Sequence, residues 1–268
     1  MSHNSPLVIE SSCLSHAWGR AFLHTFENSK QKLSPLMLGI VGLSDEPPAE
    51  DSVLRDAVDT ALELYKMNSV RVSGLTIFPY EMWVRRGRQG CKEFSEFCVD
   101  QFLPRLKARD RRNCYGTYFE RMMRYSGDRN GSISFVNQLE FVVDLLKRPR
   151  KSRYSALQMT CLDPAKDHTG QAVRGFPCLQ QISVAQDGQG RIAINAYYPT
   201  QYIFDRGYGN YVGLCHLGHF VAYETGLEFV RLNCFIGQPI LGDQKKVTKQ
   251  SLRSLADIVR ARTEDEAD

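Results

Sequence analysis

One segment of the chain has the make-up of a nucleophile site. Gly175-Phe176-Pro177-Cys178-Leu179-Gln180-Gln181 sets a cysteine directly after a proline and ahead of a run that reads as a strand. An element end of this kind holds a side chain rigidly and can leave it open to a ligand. A cysteine attacks as its thiolate, and an ordinary thiol has a pKa of roughly 8.5, so positive charge must stand nearby. Arg153 and Arg174 are candidates to supply it. Taken alone, one cysteine of eight is more often a buried thiol than a nucleophile. Weaker constellations stand beside it. His216 and His219, three apart on a helical run, would bind metal only with a third ligand, and such a pair more often packs or hydrogen-bonds. Tyr197, Tyr198, Tyr202, Tyr208 and Tyr211 gather near Gly207 and Gly209, where they could stack a planar base or equally form a sheet face and a subunit contact. Lys107, Arg109, Arg111 and Arg112 make either a basic patch or a solvated turn.

Composition narrows the classes of function. The chain has 268 residues, 43% of them hydrophobic, which is enough to bury a core without disulfides or metals. The net charge of +4 comes with no concentrated basic stripe, which argues against a duplex nucleic-acid binder. No apolar run approaches the roughly 18 residues of a membrane span. Residues 1–10 lack the charged-then-apolar pattern of a signal peptide, so a cytoplasmic location with reduced thiols is expected. There is no Cys-x-x-Cys pair, no zinc-ligand spacing and no glycine-rich phosphate loop.

The elements that must position these residues follow from periodicity and punctuation. Trp18, Phe22, Leu23 and Phe26 recur at helical spacing, so 15–26 reads as a helix. Pro47 and Pro48 mark a loop, after which Asp51 caps a helix with Leu54, Val58, Ala61, Leu62 and Tyr65 on one face. Residues 69–77 look extended. Helices are expected over 93–106 and 136–146, the second stopping before Pro149. Residues 154–162 read as a strand, and 179–185 with 191–198 as a hairpin turning at Asp187-Gly188. A long apolar helix over 210–223, a last strand over 229–236 and a short helix over 251–261 complete the chain. The class is α+β with a mostly non-parallel sheet: residues 1–242 form one domain and 243–268 a polar, acidic-ended tail.

The order of features raises the weight of Cys178. Asn137-Gln138-Leu139-Glu140 opens a helix running to Lys147-Arg148-Pro149; Ser152-Arg153-Tyr154, a strand, Asp163-Pro164, Pro177-Cys178, Gln181, a hairpin, Gly209-Asn210 and a helix ending at Thr225-Gly226-Leu227 follow. This order resembles the thymidylate synthase superfamily, and Tyr115-Gly116-Thr117-Tyr118-Phe119 is similar to its Tyr-Gly-x-Gln-Trp segment. The likeness covers residues 110–242 best. It implies a mixed sheet with helices on one side, two sheets packed back to back in a homodimer, and a pyrimidine nucleotide or nucleoside as substrate. It also implies a mechanism: the thiolate of Cys178 adds to carbon 6 of the pyrimidine, and carbon 5 then takes a one-carbon unit from methylenetetrahydrofolate. By the same resemblance Tyr115 lies on the proton-transfer network, Asn210 hydrogen-bonds the ring, Arg153 reaches across the dimer to a phosphate, and Gln181 and Thr200 belong to the substrate site, with Arg174 a candidate cation beside them. Each has a plainer reading: Asn210 as a helix cap, Tyr115 as a core aromatic, Arg153 as a surface ion pair.

The departures are as informative. The family's second arginine after serine is Tyr154, and the histidine after the nucleophile is Leu179. Its Arg-Ser-x-Asp motif falls on Pro199, Thr200, Gln201 and Tyr202, and its Asp-x-His-x-Tyr motif on Gln238 to Gly242. The segment closing over folate is replaced by the acidic tail, and Asp59 and Glu63 are the nearest stand-ins for the proton-transferring glutamate. An arginine–phosphate fork is worth several kcal/mol in order-of-magnitude terms, so another cation (Arg129, Arg174 or Arg206) replaces it or the ligand is not an ordinary nucleoside monophosphate. The expectation is a one-carbon transferase, methylating or hydroxymethylating, of a specialised kind. A non-catalytic nucleotide- or partner-binding descendant and a folate-independent cysteine-adduct enzyme are the alternatives.

Overall fold

The computed structural model describes residues 5–28, 35–44, 47–110, 113–129, 132–148, 153–170, 177–242 and 247–263. The chain opens with β1 (Leu7–Ser11), α1 (Leu14–Glu27) and β2 (Leu36–Val41), followed by α2 (Ser52–Leu64), α3 (Val70–Leu75), α4 (Tyr80–Arg85), α5 (Cys91–Phe97), α6 (Leu103–Arg109) and α7 (Tyr118–Met123). Then come β3 (Tyr125–Arg129), β4 (Ser132–Val136), α8 (Gln138–Lys147), β5 (Gln158–Thr160), α9 (Pro164–Asp167), β6 (Gln181–Gln186) and β7 (Arg191–Tyr202). The helix α10 (Tyr208–Thr225), β8 (Glu228–Ile240) and α11 (Arg253–Thr263) end it. The class is mixed α+β. No helix among the described residues is long and apolar enough to cross a membrane.

The main sheet has six strands in the order β1-β2-β8-β7-β6-β5, with β1/β2 and β7/β8 parallel and the other neighbours antiparallel. The parallel β7–β8 pair needs a crossover, and α10 supplies it. That helix is apolar on nearly every side and buried along most of its length, because the sheet lies on one flank and α3 on another. Two aromatic clusters fill the core. Trp18 stacks on Phe22 at 5.0 Å near Tyr208, and Phe78, Trp83, Phe94, Phe119 and Phe220 interlock under α10. The other sheet face carries a row of register neighbours, Val8, Met37, Phe235, Tyr197 and Gln181, all exposed.

Several expected elements hold. Asp51 caps α2 by accepting the Val53 and Leu54 N–H groups, the Asp187 turn joins β6 to β7, and Gly226 ends α10 in the left-handed conformation. Two differ. Residues 69–77 are not extended: Ser69 accepts the Val72 N–H and starts α3, since glycines on both sides let this short helix press against α10. Residues 154–162 are not one strand. A single 3₁₀ turn, Tyr154–Ala156, precedes the short β5, and Val136 closes β4 instead of opening α8. In the C-terminal segment, α11 packs on α1 and α2 through buried Leu255, Ala256 and Val259, and Arg262 reaches Asp51 at 2.6 Å.

Two measurements follow from this packing. A Cβ at residue 213 would lie 2.6 Å from the Gly74 carbonyl oxygen, which is backbone and cannot swing away. Gly213→Ala is therefore expected to cost about 2–3 kcal/mol, read as a lower urea midpoint; an unchanged midpoint would show that the α3–α10 contact gives way freely. Asp51 is desolvated, which favours its neutral form, but the Leu54 N–H and Arg262 outweigh this and hold its carboxyl below the usual range. Its charge therefore stabilises the fold above ordinary carboxylate pKa values, and that stabilisation is lost as pH falls through the depressed value. Asp51→Asn keeps the cap and removes the charge, so its urea midpoint should lie lower at neutral pH, by about 1 kcal/mol, and converge on the native one in acid. A constant gap at every pH would contradict this.

Candidate functional site

Cys178 sits where the chain enters the sheet. Pro177 and Leu179 on either side are buried, and the next residue locks into both neighbours. The Gln180 N–H donates to the Tyr197 carbonyl at 3.0 Å, and the Gln180 carbonyl accepts the Cys161 N–H at 2.8 Å. The thiol is half-buried and is not part of a disulfide. Burial pushes it up from the ordinary thiol value, and the Arg206 guanidinium acts in the opposite direction. Arg206 lies in a single wide π-helical turn, Ile203–Gly207, that runs straight into α10. Asn210, four residues on and buried, falls on the same side of that helical path as Arg206.

A tyrosine that interacts with Cys178 is Tyr118, three residues beyond the expected Tyr115. The Leu179 N–H donates to the Tyr118 phenol, which feels both Cys178 and Arg206. Burial, with Cys178 next, drives that phenol well above its usual pKa and so keeps its proton. The helix α7 that carries it is held from three directions. Thr117 caps it, accepting the Glu120 N–H at 3.1 Å. Arg121 forks onto Asp167 at 2.5 and 2.8 Å and onto the Cys161 carbonyl at 2.7 Å. The Gln138 amide donates to the Arg121 and Thr160 carbonyls at 3.0 and 2.9 Å. Tyr115 stands before a positive-φ Gly116 and is half-exposed. It lines a separate cavity of about 290 Å³ with Lys107, Glu120 and Arg124.

The other expected residues are spread more widely. Gln181 points to the open sheet face and bonds Gln158, so it does not join the Cys178 site. Arg153 is exposed at the 3₁₀ turn. Thr200 is half-buried on β7 opposite Gln238, and Gln201 beside it is fully buried, accepting the Tyr211 hydroxyl at 2.8 Å. Arg174 and the Arg129 side chain lie outside the described residues. Asp59 is committed to structure, taking the Val70 N–H at 2.8 Å and Arg55 at 3.0 Å, while Glu63 is exposed. His216 stacks on Tyr80 at 4.3 Å and His219 meets Phe229 edge-on; no metal-binding group of three or more ligands is found among the described residues.

A second feature escaped sequence reading. A groove of about 530 Å³ runs beside α10, past Val212 and His216. It carries four arginines, Arg55, Arg71, Arg85 and Arg86, against Glu50 and Glu81. Its surfaces are flat: Tyr80 lies against His216, and Arg86 covers the Phe97 ring at 3.7 Å. Glu50 is fixed by Arg55 at 2.8 Å and by the Tyr208 hydroxyl at 2.7 Å. The groove is assembled from four segments distant in sequence, and no local spacing announces it.

The charge balance at Cys178 is testable. The rate of thiol alkylation tracks the thiolate fraction. Peptide-resolved iodoacetamide labelling of Cys178 should rise with pH through a midpoint above that of a small-molecule thiol. In Arg206→Ala the midpoint should move higher still, so that labelling at neutral pH is several-fold slower. A native midpoint at or below the small-molecule value, or one indifferent to Arg206, would refute the pairing. No protein-family model matches this chain, and no curated protein is significantly similar to it.

Proposed function

We propose that the protein is a pyrimidine C5-modifying transferase with a thymidylate synthase-like fold, acting through a covalent bond between Cys178 and carbon 6 of a pyrimidine nucleotide or nucleoside. The observation that carries this reading is the meeting of Cys178, Arg206 and Tyr118 at the entry to β6. The Cys178 sulfur adds to carbon 6, and the displaced electrons make carbon 5 nucleophilic. Arg206 offsets the desolvation of the thiolate. Asn210, with one amide acceptor and two donor hydrogens, suits the ring edge of a pyrimidine. With Pro199 at the family's arginine position, Arg206 also stands in as the cation for an anionic group.

Methylenetetrahydrofolate, when bound, supplies a one-carbon unit for carbon 5. Its flat rings and glutamate carboxylates suit the groove beside α10, where Tyr80 offers a stacking face and Arg55, Arg85 and Arg86 offer charge. A homodimer joined through the open sheet face completes the proposal. Val8, Met37, Phe235 and Tyr197 are exposed there, Tyr197 stacks on Phe235 at 5.8 Å, and Arg153 stands exposed for a neighbouring copy.

One observation favours a second reading, a non-catalytic nucleotide- or partner-binding descendant of the same fold. The residues at the family's phosphate- and sugar-binding positions are used in the sheet itself, with Thr200 to Tyr202 paired to Gln238 to Ile240. Intact-mass analysis separates the two. Incubation with 5-fluoropyrimidine nucleotides or nucleosides and methylenetetrahydrofolate should add the mass of both to the native protein and nothing to Cys178→Ser. If no pyrimidine in a uracil and cytosine series adds mass, the transferase reading is wrong and the binding reading takes its place.

A further inference from the structure

The cavity of about 290 Å³ beside Tyr115 is crowded with charge, and most of that charge is committed. Arg121 is engaged by Asp167 and by the Tyr115 and Cys161 carbonyls. Lys166 lies 3.0 Å from Asp163, whose carboxylate also accepts the Ser126 hydroxyl at 3.2 Å. Lys107 donates to one Glu120 oxygen, Oε1, at 2.6 Å. Two groups lining the cavity are left unsatisfied. Glu120 Oε2 is buried and has no hydrogen-bond partner among the described residues. Gly116, at a φ of +95°, leaves that oxygen uncovered, since a Cβ there would stand 3.5 Å from it. The Arg124 guanidinium lies 4.0 Å over the Phe135 ring and makes no hydrogen bond or ion pair among the described residues.

Glu120 and Arg124 stand one turn apart, and the Arg124 N–H closes that turn on the Glu120 carbonyl at 2.7 Å. A glutamate four residues ahead of an arginine on a helix is well placed to pair with it. Here Lys107 holds the carboxylate and Phe135 holds the guanidinium, so an acceptor and a set of donors line one cavity without meeting. Stacking occupies a face of the guanidinium and leaves its in-plane N–H fork for a carboxylate. A buried carboxylate oxygen without a donor is costly, and a ligand ammonium would satisfy it. We propose that this cavity binds a small zwitterion of the α-amino acid class, its ammonium donating to Glu120 Oε2 and its carboxylate accepting from the Arg124 fork. The volume of about 290 Å³, just below the usual range of small-molecule sites (roughly 300–1,000 Å³), suits one such molecule. Tyr115, half-exposed on the wall, offers a flat apolar surface to its side chain. The site is independent of the chemistry proposed at Cys178.

The test uses the full chain, with isothermal titration and thermal melting across the standard L-amino acids. At least one should bind once per chain and raise the melting temperature. Its N-acetyl form lacks the ammonium and its amide form lacks the carboxylate, so each should bind at least about tenfold more weakly. Arg124→Gln removes the fork from an exposed side chain, and Glu120→Gln removes the negative charge while keeping the shape. Each should also weaken binding by at least about tenfold. Should Glu120→Gln lose its Lys107 contact and melt early without ligand, Arg124→Gln decides. The assignment is overturned if no amino acid binds at millimolar concentration, if the blocked forms bind as well as the free one, or if binding is indifferent to Arg124→Gln. None of these results bears on a pyrimidine adduct at Cys178, and failure to form that adduct would leave the amino-acid site standing.

Discussion

The central constraint is electrostatic. A thiol set between two buried residues at the mouth of a sheet is desolvated, and desolvation favours the neutral form. Such a sulfur reacts only where fixed groups favour its charge enough to offset that penalty. The Arg206 guanidinium acts on Cys178 in that direction. The native balance still leaves the thiol above its ordinary range, so the site at rest is held protonated. An environment of this kind limits oxidation and alkylation and leaves ionisation sensitive to any charge brought beside the sulfur.

Much of the remaining structure fixes Cys178, Arg206 and Tyr118 relative to one another. Cys178 is placed by the strand that begins three residues later, Arg206 by the π-helical turn feeding α10, and Tyr118 by α7. These lie on three parts of the chain, and the buried fork of Arg121 on Asp167 with the Gln138 amide holds α7 against α9 and β5. Breaking such a buried pair leaves an uncompensated charge, which is why the fork specifies geometry more than it adds net stability. The close contact of Gly74 with Gly209 and Gly213 has a parallel role. It lets α3 approach α10 at backbone distance and sets where the helix that carries Asn210 must lie.

The sequence was readable where local rules decide the outcome. The cap at Asp51, the helix opening at Asn137-Gln138, the hairpin at Asp187 and the helix end at Gly226 are short-range signals, and the elements they mark stand within a residue or two of the expected places. It was misleading where tertiary packing overrides propensity. The β-branched run around Val70 and Val72 favours a strand, yet it becomes α3 because a glycine-lined flank of α10 needs a short helix there. Cys178 was legible from its proline and its place before a strand. Its companions were less so: a motif with two tyrosines three residues apart does not reveal which one interacts with Cys178, since that depends on how Gly116 turns the chain. The arginine groove was not legible at all, because its walls come together only in three dimensions.

The most direct measurement is exchange at carbon 5 in the absence of any one-carbon carrier. Addition of the Cys178 sulfur to carbon 6 lets solvent protonate carbon 5, and reversal then releases the original hydrogen to water. Pyrimidine nucleosides and their monophosphates labelled with tritium at carbon 5 should therefore lose label to solvent in the presence of the native protein and keep it with Cys178→Ser. Retention of label by every pyrimidine with the native protein, or equal loss with the serine variant, would contradict the adduct on which the account rests.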